Sequence, residues 1–148
     1  MNKAFVREAD SWEEFCPRCG AAGQAVARSV IIAQMRDATD LQLADNANIC
    51  LTPNCNVVYF DQFERVVLVD ALIRSIYPKD PSAPLCPCFG LTADDIEQDL
   101  ADGAPTRTRA CLQRAQSAEA RCEELAPSGR SCVADVQRFY MRAKSNRR

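Results

Sequence analysis

Apolar positions in the first half of the chain come in short β-branched and aromatic runs, whereas in the second half they recur at helical spacing. Residues 24 to 32, Gln-Ala-Val-Ala-Arg-Ser-Val-Ile-Ile, alternate well enough for a strand that runs into a short helix or loop before Cys50. Val57-Val58-Tyr59-Phe60 and Val66-Val67-Leu68-Val69 read as the two arms of a β-hairpin, with Leu72 and Ile73 either beyond it or extending into a helix. Pro78, Pro81, Pro84 and Pro87 then follow too closely for helix or central strand and mark a linker. Beyond it, Thr92 with Asp95 forms an acidic variant of the capping box, and a helix from about 92 to 102 should stop at Gly103. Thr106 caps a second helix to about residue 121, and a third starts near Cys132 after the Pro127-Ser128-Gly129 turn. Val133, Val136 and Tyr140 lie on one face of that last helix, whose end from Lys144 to Arg148 is polar and frayed. The pattern is α+β: a small β-hairpin unit over residues 1–80, with Phe5, Val6, Trp12 and Phe15 in its charged N-terminal stretch, and a short helical unit over 84–148.

At 148 residues the chain could fill one ordinary core, but eight prolines, five glycines and clustered thiols point instead to two small units, each short of core and each needing a staple. Nine cysteines and no histidine supply the candidates. The first ten residues carry scattered charge rather than a signal-peptide pattern, and no stretch approaches the ~20 apolar residues of a membrane helix. A soluble, cytoplasmic protein without membrane insertion is expected, and in that compartment thiols serve as metal ligands rather than disulfides.

Eight of the cysteines divide into two quartets. Cys16-x2-Cys19, thirty residues, and Cys50-x4-Cys55 make two chelating turns joined by enough chain to fold back, which is the spacing of a structural zinc site. Gly20 lets the first turn reverse, and the bland reading, that one pair is buried thiol, falls first on Cys55. A catalytic zinc would need an open position and usually histidine, and a Rieske centre needs two histidines. The second quartet is Cys86, Cys88, Cys122 and Cys132, spaced by one, thirty-three and nine residues. Cys86 and Cys88, two apart on an extended chain, point the same way. Cys88 lies just before the first expected helix, Cys122 at the end of the second and Cys132 at the start of the third, and the N–H groups free at helix N-termini suit anionic sulfur. Cys111 is left over. On a continuous second helix it would stand ~16 Å from Cys122, too far to share a small cluster, so it reads as a small buried core residue.

Charge is uneven along the chain. Residues 1–105 carry eight Lys/Arg against sixteen Asp/Glu, and residues 106–148 carry ten against four. Arg107, Arg109, Arg114, Arg121, Arg130 and Arg138 either offset an anionic metal centre or form ordinary solvated helix faces. With only Phe139 and Tyr140 among the basic residues, nucleic-acid binding is not expected. No enzyme constellation is present: there is no histidine base, no phosphate-cradling loop, and Asp94-Asp95 and Glu123-Glu124 suit a helix N-terminus and a solvated turn.

The segments Cys16-Pro17-Arg18-Cys19-Gly20, Cys55 to Phe60, Cys86-Pro87-Cys88-Phe89-Gly90, and Cys122-Glu123-Glu124 through Cys132 resemble the N-terminal domain of archaeal-type CopZ copper chaperones. The cluster half of that domain is similar to the bacterioferritin-associated ferredoxin. The resemblance implies a two-iron, two-sulfide (2Fe-2S) cluster on Cys86, Cys88, Cys122 and Cys132, with zinc in the region of Cys16, Cys19, Cys50 and Cys55. Some relatives carry extra cysteines where Ala120 and Ser131 stand here. The family's copper-transfer domain carries a Met-x-Cys-x-x-Cys loop that does not occur in these residues, so the implied partners are a separate metal-transfer or transporter protein and an electron donor. The implied role is one-electron transfer in copper or other soft-metal handling, reducing Cu(II) to Cu(I). The alternative is a non-redox structural or regulatory module with two zinc sites or a sensed cluster, and a third reading hands metal or cluster to a client.

Overall fold

The computed structural model describes residues 14–39 and 41–147; Phe5, Val6 and Trp12 lie outside them. Four short strands form an antiparallel meander in chain order: β1 (Gln24–Val26), β2 (Ala47–Ile49), β3 (Val57–Phe60) and β4 (Val66–Leu68). The expected hairpin is present, with Phe60 opposite Val66 and Val57 opposite Leu68, and Asp61 closes its turn by accepting from the N–H groups of Phe63 and Arg65. All four residues of β3 are buried, which is why it reads as an unbroken apolar run rather than an alternating one. A register irregularity between Val57 and Tyr59 rotates the strand, so that Val58 and Tyr59 enter one apolar cluster while Val57 and Phe60 enter another beside the first cysteines.

The strand expected over 24–32 stops at Val26. Residues Arg28–Gln34 form helix α1 instead, burying Val30, Ile31 and Gln34 against Ile49, Tyr59, Leu72 and Ile76. Burial of one face outweighs the strand preference of Val-Ile-Ile, the usual way tertiary packing overrides local propensity. Leu72 and Ile73 do not extend a helix; a single 3-10 turn at Val69–Ala71 precedes them.

Beyond the proline-rich stretch, α2 (Ala93–Asp102) carries the full capping box between Thr92 and Asp95 and ends at Gly103 in the left-handed region, as its sequence predicts. Helix α3 (Thr106–Ala115) is shorter than expected. It ends where the Ser117 hydroxyl donates to the Arg114 carbonyl, and residues 116–121 turn back. Cys122 therefore opens a separate short helix, α4 (Cys122–Leu125), instead of closing α3. Helix α5 (Val133–Asn146) starts just after Cys132, as expected. Leu91, Ile96, Cys111 and Val136 fill the space among α2, α3 and α5.

Thr106 is not the cap of α3. That role falls to Asp99, fully buried on α2, whose carboxylate accepts from the N–H groups of Arg107 and Thr108, from the Thr108 hydroxyl and from the Arg107 guanidinium. Burial alone would raise the pKa of Asp99, but these donors outweigh it and hold the carboxyl below its ordinary range.

The sheet and the helical segment are fastened together around residues 125–130. Tyr59 donates its hydroxyl to the Pro127 carbonyl at 2.6 Å, and Gln34 donates to the Leu125 carbonyl at 3.1 Å. Gly129, at φ 71°, lies so close to Val30 that an added Cβ would sit 2.7 Å from a Val30 methyl.

Replacing Asp99 with Ala should destabilise the chain by about 2–3 kcal/mol, combining a lost cap with lost charge-assisted hydrogen bonds, as read by chemical denaturation at neutral pH. Because the folded pKa is depressed, this contribution is complete above the ordinary carboxylate range and disappears as pH falls through the depressed value. A penalty that persists unchanged in strong acid would contradict the assignment.

Candidate metal centres

The first quartet converges. Cys16 and Cys19 flank a tight turn closed by the Gly20 N–H donating to the Cys16 carbonyl, with Gly20 at φ 78° as the turn requires. Cys50 follows β2 and Cys55 precedes β3, so the β2–β3 connection presents the second pair. The Sγ atoms of Cys16 and Cys55 are 3.8 Å apart, those of Cys19 and Cys50 are 3.6 Å apart, and all four lie within 4.8 Å of one another. A tetrahedron with metal–sulfur bonds of about 2.3 Å has sulfur–sulfur edges of about 3.8 Å, so these thiols fit a single zinc ion with little movement.

The surroundings of this quartet treat its thiols unequally. The Thr52 hydroxyl, 3.3 Å from Cys19 Sγ, and the Ala21 N–H lower the exposed Cys19 thiol to about 6. Burial pushes Cys50 up to about 11 and also raises Cys55. Lys79 donates to the carbonyls of Thr52 and Cys55 at 2.8 Å each and places its ammonium 3.8 Å from Cys50 Sγ. It thus braces the Cys50–Cys55 loop and sets a positive charge beside thiolates whose burial disfavours ionisation. Nothing in the spacing of cysteines flags Lys79, because it arrives from the proline-rich stretch.

The second set of thiols is arranged differently from expectation in one respect. Cys86 and Cys132 are brought together, but the third member of their group is Cys111: the three buried Sγ atoms lie within 4.8 Å of one another. Cys88 and Cys122 are half-buried and neighbour each other, the Cys122 thiol raising the pKa of Cys88 after the larger effect of burial. Hydrogen bonds from the Cys111 and Cys132 thiols, followed by those from the Phe89 and Cys88 N–H groups, hold Cys86 down at about 3. The Arg121 N–H, just ahead of α4, faces the Cys88 sulfur. Cys111 does belong to the apolar core, as expected, yet it also faces this centre. The separation of ~16 Å from Cys122 belongs to one helix through residue 121, whereas α3 stops at Ala115, and the thiols that meet Cys111 are Cys86 and Cys132. The available signal was Ser117, whose side chain competes for helix carbonyls.

Most of the arginines singled out from the sequence are engaged locally. Arg107 pairs with Asp99 and Asp102, Arg114 with Glu119 while lying over the Phe89 ring, Arg121 with Glu124, and Arg138 with Asp135. A cleft of about 500 Å³ nevertheless opens beside the second centre, with Cys132 in its wall and Arg74, Arg130, Arg138 and Arg142 around it.

The fold and its thiols define an α+β protein with an all-cysteine metal site. Residues 13–73, which contain the whole first quartet, match the zf_CopZ family model, described as a zinc binding domain. No curated protein matches the chain. Among solved structures, the N-terminal domain of CopZ from Archaeoglobus fulgidus matches with a TM-score of 0.69 and 21% identity, covering 85% of this chain and 97% of that one. The chain therefore resembles that domain in fold, and the family match together with the four converged thiols supports zinc at the first quartet. Among the described residues no helix is long and apolar enough to cross a membrane.

In metal-free protein, iodoacetamide should label Cys19 first, with a rate profile turning near the value of about 6, while Cys50, up at about 11, lags; added zinc should suppress both. Equal labelling of the two across pH would contradict the reading. Lys79→Met should weaken zinc binding about tenfold in chelator competition, and binding should weaken further as pH falls because protons compete for the thiolates.

Proposed function

We propose that this chain is a metallochaperone-like iron–sulfur protein. In this reading Cys16, Cys19, Cys50 and Cys55 hold a structural zinc, and Cys86, Cys88, Cys122 and Cys132 hold a 2Fe-2S cluster. The observation that carries the proposal is the convergence of Cys86, Cys132 and Cys111, with Cys88 and Cys122 neighbouring each other beside them. A two-iron centre needs two thiolates per iron, and an all-sulfur donor set with no histidine suits it. When bound, such a cluster supplies a one-electron couple.

The chain's own residues suit that role. The turn after Cys86 aims the Cys88 and Phe89 N–H groups at the Cys86 sulfur, and the Arg121 N–H does the same for Cys88; hydrogen bonds of this kind set a cluster's potential. Leu91, Ile96 and Val136 exclude water on the inner side. The arginine-rich cleft along Cys132 offers an acidic electron donor a docking surface close to the centre. By resemblance, the electron goes to copper, taking Cu(II) to Cu(I), or to another soft metal, which a separate metal-transfer or transporter protein then receives, in the cytoplasm.

A second reading, a non-redox module with zinc at both centres, is favoured by the compactness of Cys86, Cys111 and Cys132, which could seat a single ion. Metal analysis of anaerobically purified protein separates the two. About two irons, two acid-labile sulfides and one zinc per chain is the expected result, with an S = 1/2 EPR signal on reduction. Two zincs without iron would leave the second reading in place and remove electron transfer.

A further inference from the structure

Cys111 stands in the middle of α3 and is buried, which by itself is the ordinary habit of a free cysteine. Its sulfur, however, does not end among aliphatic side chains alone. Within 4.8 Å of it and of each other are the sulfurs of Cys86, from the turn before α2, and Cys132, at the start of α5. Three separate segments thus deliver three thiols to one point, while Cys88 and Cys122 neighbour each other and Cys88 also neighbours Cys86. Two irons need four thiolates, so these five leave a surplus of one, and it falls in the group of three.

We propose that Cys111 is an exchangeable ligand of the second centre, so that the iron on its side can be held by any two of Cys86, Cys111 and Cys132. The proposal rests on the reading of that centre as a 2Fe-2S site. Two thiolates on one tetrahedral metal stand about 3.8 Å apart, so no pair of the three has to close by more than about 1 Å to serve. The exchange balances without an outside reagent. With iron bound, the Cys111 sulfur would replace the Cys132 sulfur as its ligand and the Cys111 proton would pass to Cys132, with no electron moved. The same exchange is open to Cys86. Cys88 and Cys122 have no third thiol grouped with them among the described residues, so the two groups differ in their tolerance of ligand loss.

The test uses the full chain, reconstituted anaerobically with iron and sulfide in the wild type and in Cys132→Ala, Cys86→Ala, Cys122→Ala and the double variant Cys111→Ala/Cys132→Ala. Iron and sulfide contents, visible absorption and the EPR spectrum of the reduced protein are read. Zinc at the first quartet is measured in each variant, so that iron loss in a zinc-loaded chain reports ligand loss and not unfolding. Cys132→Ala and Cys86→Ala should each keep roughly half or more of the wild-type iron with an altered spectrum, whereas Cys122→Ala and the double variant should keep less than about a tenth. Iron in Cys132→Ala and Cys86→Ala as low as in Cys122→Ala would overturn the proposal, as would equal iron in Cys132→Ala and the double variant. A wild type that takes up no iron overturns the cluster reading itself, an outcome distinct from either.

Discussion

Sulfur atoms drawn close together are the constraint on which this molecule turns. Four thiols with neighbouring sulfurs 3.6 and 3.8 Å apart cannot all ionise, since each added charge repels the others at close range. Their surroundings do not ease that conflict evenly, since hydrogen bonds from Thr52 and Ala21 lower Cys19 while burial raises Cys50. A divalent cation resolves it by replacing protons, and the binding energy then becomes folding energy for a unit whose strands are only three or four residues long. Cys86, Cys111 and Cys132 repeat the conflict within a larger apolar cluster.

Strand β3 links the two problems. Its local irregularity sends Val57 and Phe60 toward the first thiols and Val58 and Tyr59 toward the core under α1. From that second face the Tyr59 hydroxyl reaches the segment between Cys122 and Cys132. One short strand therefore supports the first four thiols on one side and the cysteine-bearing loop of the helical segment on the other.

What could be read from the sequence follows the strength of local signals. The β3–β4 hairpin, the capping box at Thr92 and the stop at Gly103 are legible because each is decided within a few residues. The first quartet is legible because its spacing is short and paired. The features that escaped depend on distant partners. Helix α1 forms because Ile31 and Val30 find a core supplied by β2, β3 and residues beyond 70, against their own strand preference. The cap on α3 comes from Asp99, seven positions before its first residue and on another helix. The helical pattern through residues 115–120 separates Cys111 from Cys122 and says nothing of its approach to Cys86 and Cys132, while the Ser117 hydroxyl closes the helix early.

The bond from the Tyr59 hydroxyl to the Pro127 carbonyl has a long-range consequence. Pro127 lies between Cys122 and Cys132, so the segment joining those two cysteines is tied to a strand that also packs beside the first thiols. A disturbance of the sheet is thereby felt at a distance: whatever shifts β3 pulls on the chain between two cysteines that lie more than sixty residues further on.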